Sequence, residues 1–112
     1  MIDIKKTYYL AHPCTTGGKS IEENKELENL AFEQLQEHYP GVKVIRPLVL
    51  IPENMEHQEA MLKCFKLLNR CDSAIFAGHW MISKGCQMEL DFCLKNGKGI
   101  IEFGNLFSEV AV

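Results

Sequence analysis

The chain has 112 residues, 46% of them apolar and 24% charged, with a net charge of -3 at pH 7. That is the size of one small domain, residues 1–112, with enough Leu, Ile, Val and Phe to exclude a disordered chain. The acidic balance excludes a duplex nucleic-acid binder, and no apolar run reaches the roughly 20 residues of a membrane span. Met1 to Lys6 has no apolar stretch behind its charges, so no secretory signal is expected. Lys6 to Ala11 predicts a buried strand, closed by His12-Pro13. Cys14 to Lys19 is a loop rich in Thr and Gly. Ser20 and Glu23 form a capping box for a helix to about His38, with Leu27, Leu30, Ala31 and Leu35 as its apolar stripe. Pro40-Gly41 ends it. Val42 to Arg46 predicts a second strand. Leu48 to Pro52 is apolar without a period and is expected to be loop. A second helix runs from Glu53 or Met55 to Asn69, with Met61, Cys64, Leu67 or Leu68, and Cys71 inward. Ser73 to Ala77 is a third strand, and Gly78 to Ile82 the loop after it. A third helix spans Ser83 to Lys95, with Cys86, Leu90, Cys93 and Leu94 as its stripe and Asn96-Gly97 as its cap. Gly99 to Phe103 is a fourth strand, and the tail adds a short helix.

Five cysteines are present: Cys14, Cys64, Cys71, Cys86 and Cys93. An odd count without close pairs points away from a disulfide framework and towards a reducing, cytoplasmic setting. Cys64 and Cys71, like Cys86 and Cys93, are two helical turns apart and read as small buried hydrophobes. No C-x-x-C spacing implies a metal, and no organic cofactor is implied.

Strands alternating with helices, the strands continuously apolar, predict an α/β fold. It is a small open parallel four-stranded sheet, flavodoxin/Rossmann-like, with helices on both faces and strand order 2-1-3-4. A ligand then belongs beyond the carboxyl ends of strands one and three, where the order reverses. The two loops meeting there hold Ala11, His12, Thr15 and Gly18 on one side, and Gly78, Trp80, Ser83 and Gly85 on the other. These are the candidate substrate-binding residues. Ser83 reads both as an N-cap and as part of an anion site. G-x-x-x-x-G-K-[ST] is absent, which argues against a kinase or NTPase. Glu89 falls at the border of the third helix's buried stripe, facing the pocket at its N-terminus, while Asp91 points to solvent. A carboxylate so placed serves either as an ion-pair partner or as a reacting group.

Three stretches, Tyr8-Tyr9-Leu10-Ala11-His12-Pro13, Arg70-Cys71-Asp72-Ser73-Ala74-Ile75 and Ser83-Lys84-Gly85-Cys86-Gln87-Met88-Glu89-Leu90, are spaced as in the nucleoside 2-deoxyribosyltransferase superfamily. The chain resembles it over about Thr7 to Phe103, most closely its small uncharacterised bacterial and phage branch. The resemblance implies cleavage of the base–sugar bond of a nucleoside or nucleotide. Glu89 would be the nucleophile, attacking C1′ of the sugar, and Tyr9 would help position it. Ser83, where transferases of free nucleosides carry Asp, implies a phosphorylated ligand as in the nucleotide-hydrolase members. Two positions depart from the pattern. Cys64 stands where the resemblance implies a second acid, and His12 replaces a Gly. His12 and His57 are the histidines able to supply a proton.

Two functional classes follow. One is an N-glycosidase or deoxyribosyltransferase-like enzyme. The other is a non-turnover protein that senses, sequesters or covalently traps a nucleotide-derived ligand, as the missing second acid would favour. Met88 and Phe92, with Trp80 and Met81 before them, form a patch for self-association or for packing under the tail. The resemblance implies a homodimer or higher homo-oligomer.

Overall fold

The protein is described by a computed structural model covering residues 2–15 and 18–111. Thr16 and Gly17, read above as loop, lie outside the described residues.

The four strands are β1 (Thr7–Ala11), β2 (Lys43–Ile45), β3 (Ser73–Phe76) and β4 (Gly99–Glu102). They pair in parallel in the order β2-β1-β3-β4. Tyr9 stands beside Ile45 on one side and Ala74 on the other, and Ile75 beside Ile101. β1 and β3 are interior and read as unbroken apolar runs, because both their faces are covered. β2 and β4 are edges and stay partly exposed.

The α-helices are α1 (Ile21–His38), α2 (Pro47–Leu50), α3 (His57–Asn69) and α4 (Lys84–Asn96). The step from β1 to β2 runs one way along the sheet, and the steps to β3 and β4 run the other way. Right-handed crossovers therefore place α1 on one face and both α3 and α4 on the opposite face. The two cores follow this division. Tyr8, Leu10 and Ile75 pack with Ala31 and Leu35 of α1 and with Leu106. Tyr9, Ala11, Ala74 and Phe76 pack with Leu68, Cys71, Cys86 and Cys93. Leu106 belongs to the terminal helix Phe103–Ala111, which is of the 3-10 type.

Local signals act at the expected termini. Ser20 and Glu23 close the capping box, and Ser83 Oγ accepts from the Cys86 N–H at 3.2 Å. Gly97 ends α4 in the left-handed conformation, φ 66°.

Other expectations are corrected. The apolar stretch at 48–52 is not all loop: Pro47 opens a single turn, α2, too short to show a helical period. α3 begins only at His57, after the bend and turn residues 51–55. Residues 80–82 form a 3-10 turn. The stripe of α1 is rotated: Asn24, Glu28, Ala31 and Leu35 are buried, whereas Leu27 and Leu30 are 39% and 53% exposed. The cause is a buried ion pair. Arg46 donates to Glu28 through Nε at 2.9 Å and Nη2 at 2.6 Å, and its guanidinium lies over the Phe32 ring. A buried carboxylate must stay paired, so the helix turns Glu28 inward at the expense of two leucines. Leu94 is exposed as well, and Glu89 takes the inward position on α4. Phe92 packs flat on Phe65 of α3, and Trp80 leans on Phe76, so neither lies under the tail. Met81 and Met88 remain exposed.

Candidate active site

β1 and β3 end side by side, with the Ala77 N–H donating to the Ala11 carbonyl at 2.9 Å. The chain leaves β1 through His12 and β3 through Gly78. α4 starts close by and carries Glu89 five residues into the helix. Glu89 is only 5% exposed. The Tyr9 hydroxyl, rising from β1, donates a short hydrogen bond to its Oε2. The thiols of Cys64 on α3 and Cys86 on α4 lie close enough to this carboxylate to favour its charged form. Strand one, α3 and α4 thus converge on one acidic group.

Burial pushes the Glu89 carboxyl up to about 7, against the opposing pull of Tyr9, Cys64 and Cys86. Burial also raises the Tyr9 hydroxyl well above the usual tyrosine value, and the Glu89 charge raises it further. The Cys64 thiol is pushed up to about 11 and Cys86 to about 12, again chiefly by burial. All three donors therefore stay protonated around a carboxylate that titrates near neutrality. Once ionised, that carboxylate is poorly hydrated and held in place, which suits attack on, or stabilisation of, a cationic carbon.

In front of Glu89 lies a cleft of about 330 Å³. Its polar side carries His12, Thr15, Ser83, Gly85 and Glu89, with Cys14, Cys64 and His57 nearby. Its apolar side is Ile21, Pro47, Leu48, Ile51, Met55 and Met61. Lys25 and Glu53, which pair with each other, close one rim. The volume is at the small end of ligand pockets, and the mix of apolar wall and a few polar groups is typical of them. Among the described residues, no group of three or more His, Cys, Asp or Glu is arranged to hold a metal ion.

Of the residues singled out in the sequence, Glu89, His12, Thr15, Ser83 and Gly85 line this cleft. Tyr9 lies behind Glu89, fully buried. Ala11 is enclosed in the sheet, and Trp80 packs on Phe76. Gly18 is exposed with φ 71° and is not part of the cleft lining. Gly78 acts at one remove. Its φ is 66°, and a β-carbon there would lie 2.7 Å from His12 Nε2, so glycine makes room for the ring. The wall from Pro47 to Met55, with Ile21, was missed. Its one signal was an apolar run punctuated by two prolines that fitted no helix or strand.

Asp72 is not part of the cleft; it accepts the Thr7 N–H at 2.9 Å and ties the start of β1 to that of β3. All five cysteines are free thiols. No helix among the described residues is long and apolar enough to cross a membrane.

The fold is that of a solved structure described as a 2-desoxiribosyltransferase from Leishmania mexicana, with a TM-score of 0.59 and 16% sequence identity. The similarity covers 87% of this chain but only 63% of that one. Among curated proteins, none matches. One family model does match, over residues 6–102, from the first strand to the end of the fourth. The chain belongs to that family, described as Domain of unknown function (DUF4406).

Proposed function

We propose that the cleft binds a nucleoside or nucleotide and that Glu89 cleaves its N-glycosidic bond. The observation that carries this reading is the enclosed Glu89 carboxylate, held by Tyr9 and facing a cleft of nucleoside scale. The motif spacing and the fold shared with a deoxyribosyltransferase support it.

In this reading the ionised Glu89 attacks C1′. The bond from C1′ to the base breaks, its electron pair leaves with the base, and the base takes a proton from water. Positive charge builds on the sugar ring as the bond breaks, and the carboxylate neutralises it. Tyr9 holds the carboxylate on line. Ser83 and Gly85, at the first turn of α4, take the polar end of the sugar, a phosphate included. The wall of Leu48, Ile51 and Met55 takes the flat base. A homo-oligomer, with neighbouring copies completing each cleft, belongs to this proposal. Glu89 must be ionised to react, so base release rises with pH through about 7.

Cys64 favours a second reading. It lies near Glu89 where the resemblance implies a second carboxyl group, and a thiol pushed up to about 11 stays protonated and is no base for the water that would release the sugar. A protein that captures a sugar on Glu89 and releases it slowly fits that observation.

Mass spectrometry of wild type and Glu89→Ala after incubation with nucleosides and 5′-nucleotides separates these readings. Catalytic free base from wild type alone supports the enzyme. A stable mass increase on wild type alone supports capture. Neither product from folded wild type refutes both and leaves Glu89 a structural carboxylate.

A further inference from the structure

His12 is more than nine-tenths buried and lines the cleft, yet only one of its ring nitrogens is used. Nδ1 lies 2.8 Å from the Pro13 carbonyl oxygen, which can only accept, so Nδ1 carries the hydrogen. In the neutral ring Nε2 is then a bare acceptor. Among the described residues Nε2 has no hydrogen-bond partner, and no buried side-chain N or O is both enclosed and unpartnered. Nε2 therefore keeps some exposed surface, on a ring that lines the cleft. Gly78 leaves room for the ring, since any β-carbon there would lie 2.7 Å from Nε2.

The groups around the ring agree with a neutral acceptor. Burial lowers its pKa from the usual histidine value. Glu28 from α1 and the Pro13 carbonyl oppose this, and His79 adds to it. Glu28 is already committed to Arg46 and does not hold His12 as a cation.

We infer that His12 Nε2 is the base that takes the proton from the water displacing the sugar from Glu89. This deepens the glycosidase reading and rests on it. The water oxygen bonds to C1′ as one of its protons passes to Nε2. The bond between C1′ and the Glu89 oxygen breaks, and its pair returns to the carboxylate. The imidazolium then gives its proton to solvent. Two roles that a single carboxylate would otherwise alternate are divided between two groups. A thiol at Cys64 is then no obstacle to the second half of the reaction.

The test uses the full chain with 2′-deoxynucleosides and their 5′-monophosphates as probes. With His12→Phe, one equivalent of base per subunit is expected, the sugar stays on Glu89 as a mass increase, and turnover falls 100-fold or more. Loss of a merely structural residue would slow the first equivalent as well and leave no adduct. Equal turnover in wild type and variant overturns the inference while the glycosidase reading stands. No base from wild type with any probe overturns both. His12→Gln, which keeps an acceptor but little basicity, replaces His12→Phe if that variant does not fold. A measurement on wild type alone also decides. Nitrogen-15 histidine spectra at pH 7.5 are expected to show hydrogen on Nδ1 and a bare Nε2, and hydrogen on Nε2 overturns the assignment.

Discussion

Tyr8 and Tyr9 are adjacent on β1, equally buried, and face opposite ways. Tyr8 packs with Leu35, Ile75 and Leu106, and its hydroxyl reaches past them to accept the Asp3 N–H at 2.8 Å. Tyr9 packs with alanines, cysteines, Leu68 and Phe76, and its hydroxyl ends on Glu89. One face of the sheet is filled with branched and aromatic side chains and closed by the tail. The other mixes Leu68 and Phe76 with smaller groups, Ala11, Ala74, Cys71, Cys86 and Cys93, and encloses the Glu89 carboxylate at its upper end. Small side chains leave space, thiols line that space without competing as charges, and the polar chemistry collects there. On this reading one face holds the fold together and the other holds the reaction.

The sharpest way to break that division is at its two centres. Glu89→Ala is expected to lower base release by about 10³-fold or more, a loss on the order of 4 kcal/mol in barrier, while the far-ultraviolet circular dichroism stays native. Leu35→Ala, in the centre of the opposite face, is expected to cost about 2–5 kcal/mol of stability in urea unfolding, with the Glu89 pH response of the remaining folded protein unchanged. If instead Leu35→Ala moves that pH response, the two faces are not independent.

A second test concerns the charge that Glu89 carries. Its folded pKa, about 7, lies above the ordinary carboxylate value of 4.5. The folded state therefore holds its proton more tightly than the unfolded state does. The contribution of Glu89 to stability is greatest below about pH 4.5 and falls as pH rises to about 7, by roughly 3 kcal/mol at about 1.4 kcal/mol per unit. Glu89→Gln removes this group's share of the pH dependence. Thermal melts are expected to show the variant more stable than wild type at pH 8 and level with it near pH 4. Equal melting at both pH values would mean that Glu89 is not desolvated.

The smallest effects compare the two tyrosines directly. Tyr9→Phe removes a hydrogen bond that lowers the Glu89 pKa, so the acid limb of base release is expected to move about one unit to higher pH. Tyr8→Phe removes a bond to the Asp3 N–H and is expected to cost about 1 kcal/mol of stability and to leave that limb in place. A pH–rate profile for both variants decides it.

The succession of strands and helices was legible because it rests on patterns local in the chain, and the handedness of crossovers then gave the strand order. Continuous apolar runs mark parallel interior strands, and turn residues and caps mark the helix ends. The rotation of α1 was not legible. Leu27 and Leu30 look inward to any periodicity count, and only Arg46, 18 positions beyond Glu28, reverses the choice. The wall at Pro47 to Met55 was hidden for a related reason. A single helical turn and a loop have no period, and their apolar residues face a cleft that the sequence does not display.

The order of elements, the parallel sheet and the helix caps can all be read from the amino-acid sequence. These depend on neighbours within a few turns of chain, where composition and spacing suffice. The state of the chemical groups follows instead from how distant segments pack. Glu89 meets Tyr9 across 80 residues, Cys64 arrives from another helix, and Gly78 clears the space in which His12 presents its nitrogen. Burial sets whether such groups carry charge or donate hydrogen, and burial is a property of the packed molecule rather than of the chain.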